Sequence, residues 1–215
     1  MYKKLIVDSG RRMLNSGLTV ETWGNISARD PDTGLVYLTP SAMSYNNIVE
    51  DDIVVAKTDG TIVESRRKPT VEFDLHLGIY NARPEINAVV HTHPIHSQIF
   101  AVLRESIPAV IDEAAQVLGG RVRCARYELP GTNALAVACV EALGESGCAC
   151  LLANHGAVSV GADMESAFRA AKVLEMTAQI YAAARMIGKP RLLTKSQIDY
   201  MRDFARNNYL KRSAN

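Results

Sequence analysis

The chain has 215 residues, of which 47% are hydrophobic, and its 24 basic and 23 acidic side chains give a formal net charge of +1. This length and apolar content suffice to bury a full core, and no linker-like segment divides the chain, so we expect one domain over residues 1–215. The near-neutral charge and the lack of long apolar runs argue against nucleic acid and membrane as partners, and with no signal peptide at the start they predict a cytoplasmic protein.

Apolar spacing and turn residues predict a mixture of amphipathic helices and short strands. Besides a central helix described below, the expected helices cover residues 3–16, 98–103, 132–143, 163–186 and 194–208, with Thr132, Asp163 and Thr194 as caps of the last three. The expected strands are 26–29 with 35–38, 53–56 with 61–63, then 88–93, 108–111, 123–127 and two stretches within 148–160. Antiparallel hairpins mixed with helices favour an α/β fold: a three-layer α/β/α domain with a mainly antiparallel central sheet.

Two other chemistries have little support in the sequence. Neither a glycine-rich dinucleotide fingerprint nor a P-loop occurs, which argues against a nicotinamide or nucleotide enzyme. The four cysteines, at positions 124, 139, 148 and 150, do not form a disulfide framework in a chain of this size. We expect reduced, structural thiols.

The stretch between residues 69 and 96 concentrates groups that bind metals. His91 and His93 lie in an apolar run, and the period of two in a strand puts both imidazoles on one face. A single histidine in an apolar strand is usually a hydrogen-bonded core residue, but a pair of neutral imidazoles is the start of a transition-metal site. We therefore favour metal binding for this pair.

A carboxylate and a third imidazole extend the candidate site. Thr70 is the expected N-cap of the central helix, whose buried stripe is Phe73, Leu77 and Tyr80, and this places Glu72 in the first turn. If that helix packs back across the histidine strand, Glu72 meets the strand's end. His155 follows another apolar strand within a glycine turn, where functional residues concentrate. Three histidines and a glutamate make a complete metal site with room for substrate.

The two remaining histidines have other expected roles. His96 falls past Pro94, outside the strand register, and is expected either to hydrogen-bond to a ligand or to lie on the surface. His76 follows Glu72 by four residues on the same helical face, so spacing alone does not exclude it as a ligand. A core position, or a hydrogen bond to a ligand, is the better interpretation because the ligand set is complete without it.

Three polar turns suit a phosphate group. They are Gly24-Asn25-x-Ser27, Thr39-Pro40-Ser41 and the helix start at Thr70, where backbone N–H groups and the dipole favour an anion. Each cluster alone is explained by ordinary turn composition. Their combination with the histidines is more specific.

These segments together resemble the class II aldolase/adducin family. The match rests on Gly24 to Arg29, Leu38 to Ser41, Pro69 to Glu72, Val90 to His93 and Asn154 to Gly156, in this order and spacing. It covers almost the whole chain. The acidic residue Glu72 places the resemblance nearest the L-fuculose-1-phosphate aldolase branch, because the L-ribulose-5-phosphate 4-epimerase branch carries aspartate there.

The resemblance implies a divalent metal, usually zinc, with manganese and cobalt as alternatives. Its ligands would be His91, His93 and His155, with Glu72 as a fourth ligand that can swing away. It also implies a homotetramer with active sites at subunit interfaces. The positions implied for the substrate phosphate are Gly24, Asn25, Ser41, Ala42 and Thr70-Val71, where Ala42 replaces a usual glycine and Val71 a usual serine.

Two further implied positions concern the aldehyde side of the substrate. The family places a tyrosine from the neighbouring subunit there, and this chain has Asp112 or Glu113 instead. A carboxy-terminal tyrosine also contributes in the family, and Tyr209 is its expected match. An exposed residue on a frayed helix end is an equally good interpretation of Tyr209.

The expected function is metal-dependent cleavage of a phosphorylated ketose, L-fuculose 1-phosphate or a related deoxy-ketose 1-phosphate, to dihydroxyacetone phosphate and an aldehyde. Glu72 would act as the base that removes the proton next to the carbonyl. A sugar-phosphate 4-epimerase, dehydratase or decarboxylase of the same family is the alternative. A non-catalytic adducin-like module is less favoured because the metal ligands are complete.

Overall fold

A computed structural model describes residues 1–208 of the chain, in which helices and strands alternate. Its α-helices are α1 (Tyr2–Asn15), α2 (Phe73–Ala82), α3 (Ile95–Leu103), α4 (Asn133–Leu143), α5 (Met164–Ile187) and α6 (Lys195–Asn208). Its strands are β1 (Asn25–Arg29), β2 (Val36–Leu38), β3 (Val54–Ala56), β4 (Ile62–Glu64), β5 (Ala88–Thr92), β6 (Arg123–Ala125), β7 (Ala149–Leu152) and β8 (Gly156–Gly161). A 3₁₀ turn covers Glu50–Asp52 and a π-helical turn Ala114–Leu118. Within residues 1–208, no helix combines the length and the apolar character that crossing a membrane requires.

The eight strands form one sheet in the order β4-β3-β2-β1-β5-β8-β7-β6. Neighbouring strands run antiparallel except β6 and β7, which pair in parallel. Both predicted hairpins are present, as β1 with β2 and β3 with β4. Strand β5, which carries His91, lies at the centre between β1 and β8, so its end is flanked by ordered backbone on both sides.

Helices cover both faces of this sheet. On β5, Val89 packs with residues of α2 and α4, whereas Ala88 and Val90 pack with residues of α1 and α5. On β7, Cys150 faces the same side as Val89, and the neighbouring positions face α3 and α5. This alternation is the period of two expected of a strand buried on both faces. The predicted three-layer α/β/α fold with a mainly antiparallel sheet is confirmed.

The helix caps follow the sequence closely. Thr132, Asp163 and Thr194 each accept a hydrogen bond from the backbone N–H three residues later, at 3.3, 2.7 and 3.3 Å. A side-chain oxygen in this position satisfies one of the free N–H groups of a helix start. The three predicted caps are therefore confirmed.

The central helix begins later than predicted. Helix α2 starts at Phe73, and Glu72 is its N-cap residue rather than a residue of its first turn. Thr70 instead closes a preceding turn, in which its carbonyl accepts the N–H of Phe73 at 3.2 Å. The prediction of Thr70 as N-cap is wrong because the chain bends once more before the helix. That bend turns the Glu72 side chain toward β1.

The strand predicted over residues 108–111 is also wrong. Ile107 forms a single bridge with Val122, and the chain then enters the π-helical turn. Pro108 has no backbone N–H to continue a ladder. The strand predicted over 123–127 stops at Ala125, and the helix predicted over 98–103 begins three residues earlier, at Ile95.

Candidate metal centre and active site

Three imidazoles meet where the central strands end. His91 lies on β5, His93 follows just past its end, and His155 occupies the turn between β7 and β8. The ring centroids are 4.8 Å apart for His91 with His93, 4.8 Å for His91 with His155, and 5.1 Å for His93 with His155. One ligand nitrogen from each ring lies within 4.8 Å of the others. The antiparallel pairing of β5 with β8 brings the distant His155 to the pair.

The protonation of these rings suits a cation. His91 Nδ1 lies 3.0 Å from the Ala157 carbonyl, to which it donates, so its lone pair is on Nε2. That Nε2 faces His93 Nε2 at 3.1 Å. Burial lowers the pKa of His91 well below its usual value, the pKa of His93 to about 4, and the pKa of His155 in spite of the nearby Glu72 carboxylate. Three neutral imidazoles are the donor set of a zinc-type site.

An unpaired atom supports this fit. His155 Nδ1 is buried and has no hydrogen-bond partner within residues 1–208. A buried polar nitrogen without a partner costs free energy on the order of 1–3 kcal/mol, and proteins accept that cost mainly where a ligand binds. Together with the three neutral rings, each of which offers one nitrogen to the same space, the residues present fit a metal ion that takes nitrogen ligands.

The turn that carries His155 is held from both sides. Asn154 adopts a left-handed backbone conformation, with φ of 54°. Gln98 Nε2, from α3, donates to the His155 carbonyl at 2.8 Å. On the other side Gly156 lies against β5, where an added Cβ would meet the Thr92 carbonyl oxygen at 2.4 Å. Only glycine allows the two histidine-bearing segments to approach this closely.

We expect Gly156→Ala to weaken both the fold and metal binding. The methyl group forces β8 away from β5, since its closest neighbour is a backbone atom, and an overpacked site of this kind costs about 1–3 kcal/mol. Gly188→Ala is the matched control, because a Cβ there meets nothing within 4 Å and φ is extended. Thermal unfolding and metal titration test this. Wild-type metal affinity in Gly156→Ala would contradict the role given to the close approach.

Glu72 stands beside the histidines. Its Oε1 is 3.9 Å from His155 Nε2, and its Oε2 accepts a hydrogen bond from Asn25 Nδ2 at 2.6 Å. The residue is only 8% exposed, so the carboxylate has few competing water contacts. It is close enough to share a bound ion or substrate with the imidazoles.

A buried polar chain continues behind Asn25. His76 Nε2 lies 2.6 Å from Asn25 Oδ1, His76 Nδ1 lies 2.6 Å from Ser27 Oγ, and Ser27 Oγ lies 2.7 Å from the Tyr80 hydroxyl. His76 is thus connected to Glu72 by two hydrogen bonds through Asn25, and it lies in the core position favoured for it. Ser27 was grouped with a turn suited to phosphate, but it is fully buried on β1 and bonds to His76 and Tyr80 instead. The polar role of Tyr80 was missed. The sequence did contain a signal, namely the spacing of polar residues: Asn25 and Ser27 are two apart on β1, and His76 and Tyr80 are four apart on α2.

A cavity of about 450 Å³ opens over this site. All the positions implied for substrate phosphate lie on its wall, namely Gly24, Asn25, Ser41, Ala42, Thr70 and Val71, together with Glu72, His93 and His155. Gly24 has φ of 73°, and a Cβ there would meet the His91 carbonyl oxygen at 2.6 Å. Ala42 has φ of 55°, a conformation that glycine adopts without strain.

Trp23 is a further residue of the cavity wall that sequence reasoning did not single out. Its ring stacks on His93, with centroids 6.4 Å apart and planes 14° apart, and it is 57% exposed. It is the only tryptophan of the chain. Its fluorescence therefore reports directly on the metal centre.

Other candidate residues lie elsewhere. His96 donates from Nδ1 to Glu175 at 2.8 Å and does not join the three imidazoles. Asp112 and Glu113 are exposed and do not line the histidine cavity within this chain. Tyr209 lies outside the described residues.

The ends of the central strands in this α/β/α fold present three neutral histidines and a glutamate to one cavity. This arrangement is that of a metal-dependent enzyme of the class II aldolase type. Residues 4–182 match the family described as Class II Aldolase and Adducin N-terminal domain, and the chain belongs to this family. The resemblance seen in the sequence is confirmed. The family consists of metal-dependent enzymes that act on sugar phosphates, and its named members include aldehyde-lyases.

Particular relatives differ in their substrates. The 5-deoxy-D-ribulose 1-phosphate aldolase of Bacillus thuringiensis serovar kurstaki is 41% identical over 194 residues, which cover 90% of each chain. The L-ribulose-5-phosphate 4-epimerase of Salmonella paratyphi B is 33% identical over 199 residues, covering 86% of each. A solved L-fuculose 1-phosphate aldolase superposes with a TM-score of 0.92 at 35% identity, covering 95% of this chain and 96% of that one.

Proposed function

We propose that the protein is an aldolase that cleaves a deoxy-ketose 1-phosphate, 5-deoxy-D-ribulose 1-phosphate or L-fuculose 1-phosphate, to dihydroxyacetone phosphate and a short aldehyde. The observation that carries this proposal is the Glu72 carboxylate beside three neutral imidazoles in one cavity. A base next to a cation site is the arrangement needed to move a proton on carbon next to a carbonyl. The relatives named as aldolases of such ketose phosphates support the substrate class.

The metal ligands of the proposal are His91, His93 and His155, with Glu72 as an exchangeable fourth. Three imidazole nitrogens and a carboxylate oxygen favour zinc, and manganese and cobalt are alternatives. When bound, the metal supplies Lewis-acid polarisation of the ketose carbonyl and the adjacent hydroxyl. The proton transfers are left to the protein's own groups.

Glu72 is the proposed catalytic base. In the cleavage direction the C4 hydroxyl gives its proton to Glu72, the bond between C3 and C4 breaks, and the C4 fragment leaves as the aldehyde. The electron pair of that bond passes toward the C2 carbonyl oxygen, and Glu72 then gives the proton it took to C3, which completes dihydroxyacetone phosphate. In the synthetic direction Glu72 removes the same proton.

The substrate phosphate is proposed to bind to polar groups on the wall of the same cavity. Gly24, Asn25, Ser41, Ala42 and Thr70 supply backbone N–H groups, hydroxyls and a carboxamide, which bind phosphate oxygens without a cation. Val71 contributes no hydroxyl. Hydrogen bonds to the phosphate therefore rest on fewer side chains than a serine at this position would allow.

The assembly is proposed to be a homotetramer whose active sites lie at subunit interfaces. Asp112 or Glu113 of a neighbouring subunit would then approach the aldehyde side. This is supported by the exposure of both carboxylates away from their own chain's cavity. Tyr209 stays a candidate for the same region.

A 4-epimerase is the second candidate, favoured by the relative of that name. It would break the same bond but re-form it without releasing the aldehyde, so the metal site does not distinguish the two reactions. The difference lies in the products.

Product analysis tests the proposal. Metal-loaded protein is incubated separately with 5-deoxy-D-ribulose 1-phosphate, L-fuculose 1-phosphate and L-ribulose 5-phosphate, and the products are followed by NMR. Release of dihydroxyacetone phosphate with acetaldehyde or lactaldehyde is the expected result. Conversion of L-ribulose 5-phosphate to its C4 epimer, with no cleavage of the 1-phosphates, would replace the aldolase proposal by the epimerase.

A further inference from the structure

The buried chain of hydrogen bonds behind Glu72 runs in one direction, from donor to acceptor. Its members are Glu72, Asn25, His76, Ser27 and Tyr80, each at most 8% exposed, and each neighbouring pair is joined by a contact of 2.6 or 2.7 Å. His76, Ser27 and Tyr80 are at most 1% exposed, whereas Asn25 and Glu72 also line the cavity. The hydrogens of the buried members can therefore be assigned starting from Glu72.

The direction is set at the Glu72 end, where the carboxylate only accepts, from Asn25 Nδ2. Burial raises the pKa of Tyr80, so its hydroxyl stays protonated, and in this direction it donates to Ser27 Oγ. The single Ser27 hydrogen is then donated to His76 Nδ1, which must carry a lone pair. His76 is neutral because burial lowers its pKa to about 3, so its proton is on Nε2 and is donated to Asn25 Oδ1.

The carboxamide is thereby fixed. With its oxygen facing His76, Asn25 presents Nδ2 to Glu72 Oε2. The opposite orientation would set two acceptor oxygens 2.6 Å apart, at Asn25 and the Glu72 carboxylate. The Glu72 end excludes that flip, so the hydrogen-bond chain delivers one N–H to one chosen oxygen of Glu72.

We propose that His76 is a positioning residue which, through Asn25, ties Glu72 Oε2 and leaves Oε1 as the atom that takes the substrate proton. The inference rests on the proposed role of Glu72 as base. Oε1 is the oxygen on the side of His155, at 3.9 Å from its Nε2. In the transfer the C3–H bond of dihydroxyacetone phosphate breaks, its proton goes to Oε1 and its electron pair passes toward the C2 carbonyl oxygen.

The fold supplies these groups from two elements. In the pairing of β1 with β5, Asn25 lies opposite His91 and Ser27 opposite Val89, so both point to the side covered by α2. His76 and Tyr80 are one helical turn apart on the buried face of α2. Asn25 keeps a second Nδ2 hydrogen, which is free to bind a substrate oxygen in the cavity that it lines. Binding of substrate and orientation of the base therefore share one carboxamide.

The first test reads the tautomer without any activity. Protein labelled with ¹⁵N in histidine is examined by long-range ¹H–¹⁵N correlation in the metal-free state. His76 is expected to carry its proton on Nε2, unchanged between pH 5 and 9, and to keep it in Glu72→Gln, whose amide oxygen still accepts from Asn25. A proton on His76 Nδ1 would overturn the chain's direction.

The second test separates positioning from structural support. At saturating metal, His76→Leu is expected to lower kcat by about 10- to 100-fold, the usual effect of removing such an outer partner, and to lower kcat by a larger factor than it raises KM. His76→Gln restores a donor to Asn25 and should recover most of the loss. Tyr80→Phe removes a buried hydroxyl that lies four hydrogen bonds from Glu72. Ser27 still donates to His76 in this variant, so Tm should fall while kcat is kept.

If kcat falls in proportion to Tm in both His76→Leu and Tyr80→Phe, the positioning role is overturned. The two proposals fail separately. Absence of turnover in the wild type on every sugar phosphate contradicts the proposed function. The tautomer of His76 is measured without activity, so it still tests the direction of the hydrogen-bond chain.

Discussion

Glu72→Gln is expected to lower the rate of ketose-phosphate cleavage by about 10²- to 10⁴-fold, the contribution typical of a positioned general base. Glutamine has the shape of glutamate and an oxygen that accepts from Asn25, so the fold and the hydrogen bond of 2.6 Å should persist. The amide has no basic oxygen for the substrate proton. Steady-state rates and thermal unfolding of the metal-loaded variant measure the two effects.

Asp74→Asn is the matched control for this substitution. Asp74 is an exposed carboxylate two residues away, in the first turn of the same helix. Its neutralisation should leave turnover within about twofold, since an exposed side chain outside the cavity is usually worth less than ±0.5 kcal/mol. Turnover in Glu72→Gln close to that of Asp74→Asn would remove Glu72 from the mechanism.

Loss of the metal is expected to have the second large effect. Chelation should abolish cleavage, and added Zn²⁺, Mn²⁺ or Co²⁺ should restore it. His93→Ala should weaken metal binding at least about 100-fold, more than the loss of an outer partner of a ligand. Quenching of Trp23 fluorescence by Co²⁺ measures this, because its ring lies 6.4 Å from that of His93.

The pH dependence and a control sharpen this prediction. Burial holds the pKa of His93 at about 4, so protons compete with the metal only as the pH falls toward that value, and metal affinity should change little between pH 6 and 8.

His96→Gln is the control, because it removes a histidine only three residues from His93 that bonds to Glu175 instead. It should bind metal like the wild type. Cleavage that persists after complete chelation would contradict the metal-dependent mechanism.

The histidine cluster was predictable because its geometry is local. The period of two in a strand already places His91 and His93 on one face, and an apolar strand followed by Asn154-His155-Gly156 marks a turn. What the sequence does not contain is the neighbour relation of β5 and β8, which brings a ligand nitrogen of His155 within 4.8 Å of those of the other two histidines. The family resemblance provided that relation.

The support of Glu72 was not predictable in the same way. Local propensity favours Thr70 as the helix cap, but the helix begins at Phe73, where Glu72 bonds across to β1. The partners of His76 depend on the register of β1 and on how α2 lies over it. Such tertiary contacts override a preference worth about 1 kcal/mol.

Proton exchange is the measurement that tests the central claim most directly. Metal-loaded protein and dihydroxyacetone phosphate are mixed in deuterated water and followed by NMR, with Glu72→Gln alongside, so no aldehyde needs to be known. Stereospecific loss of one C3 proton in the wild type, and none in the variant, is the predicted result. No exchange in wild-type protein that holds its metal, or equal exchange in both proteins, would contradict the assignment of Glu72 as the base beside the three histidines.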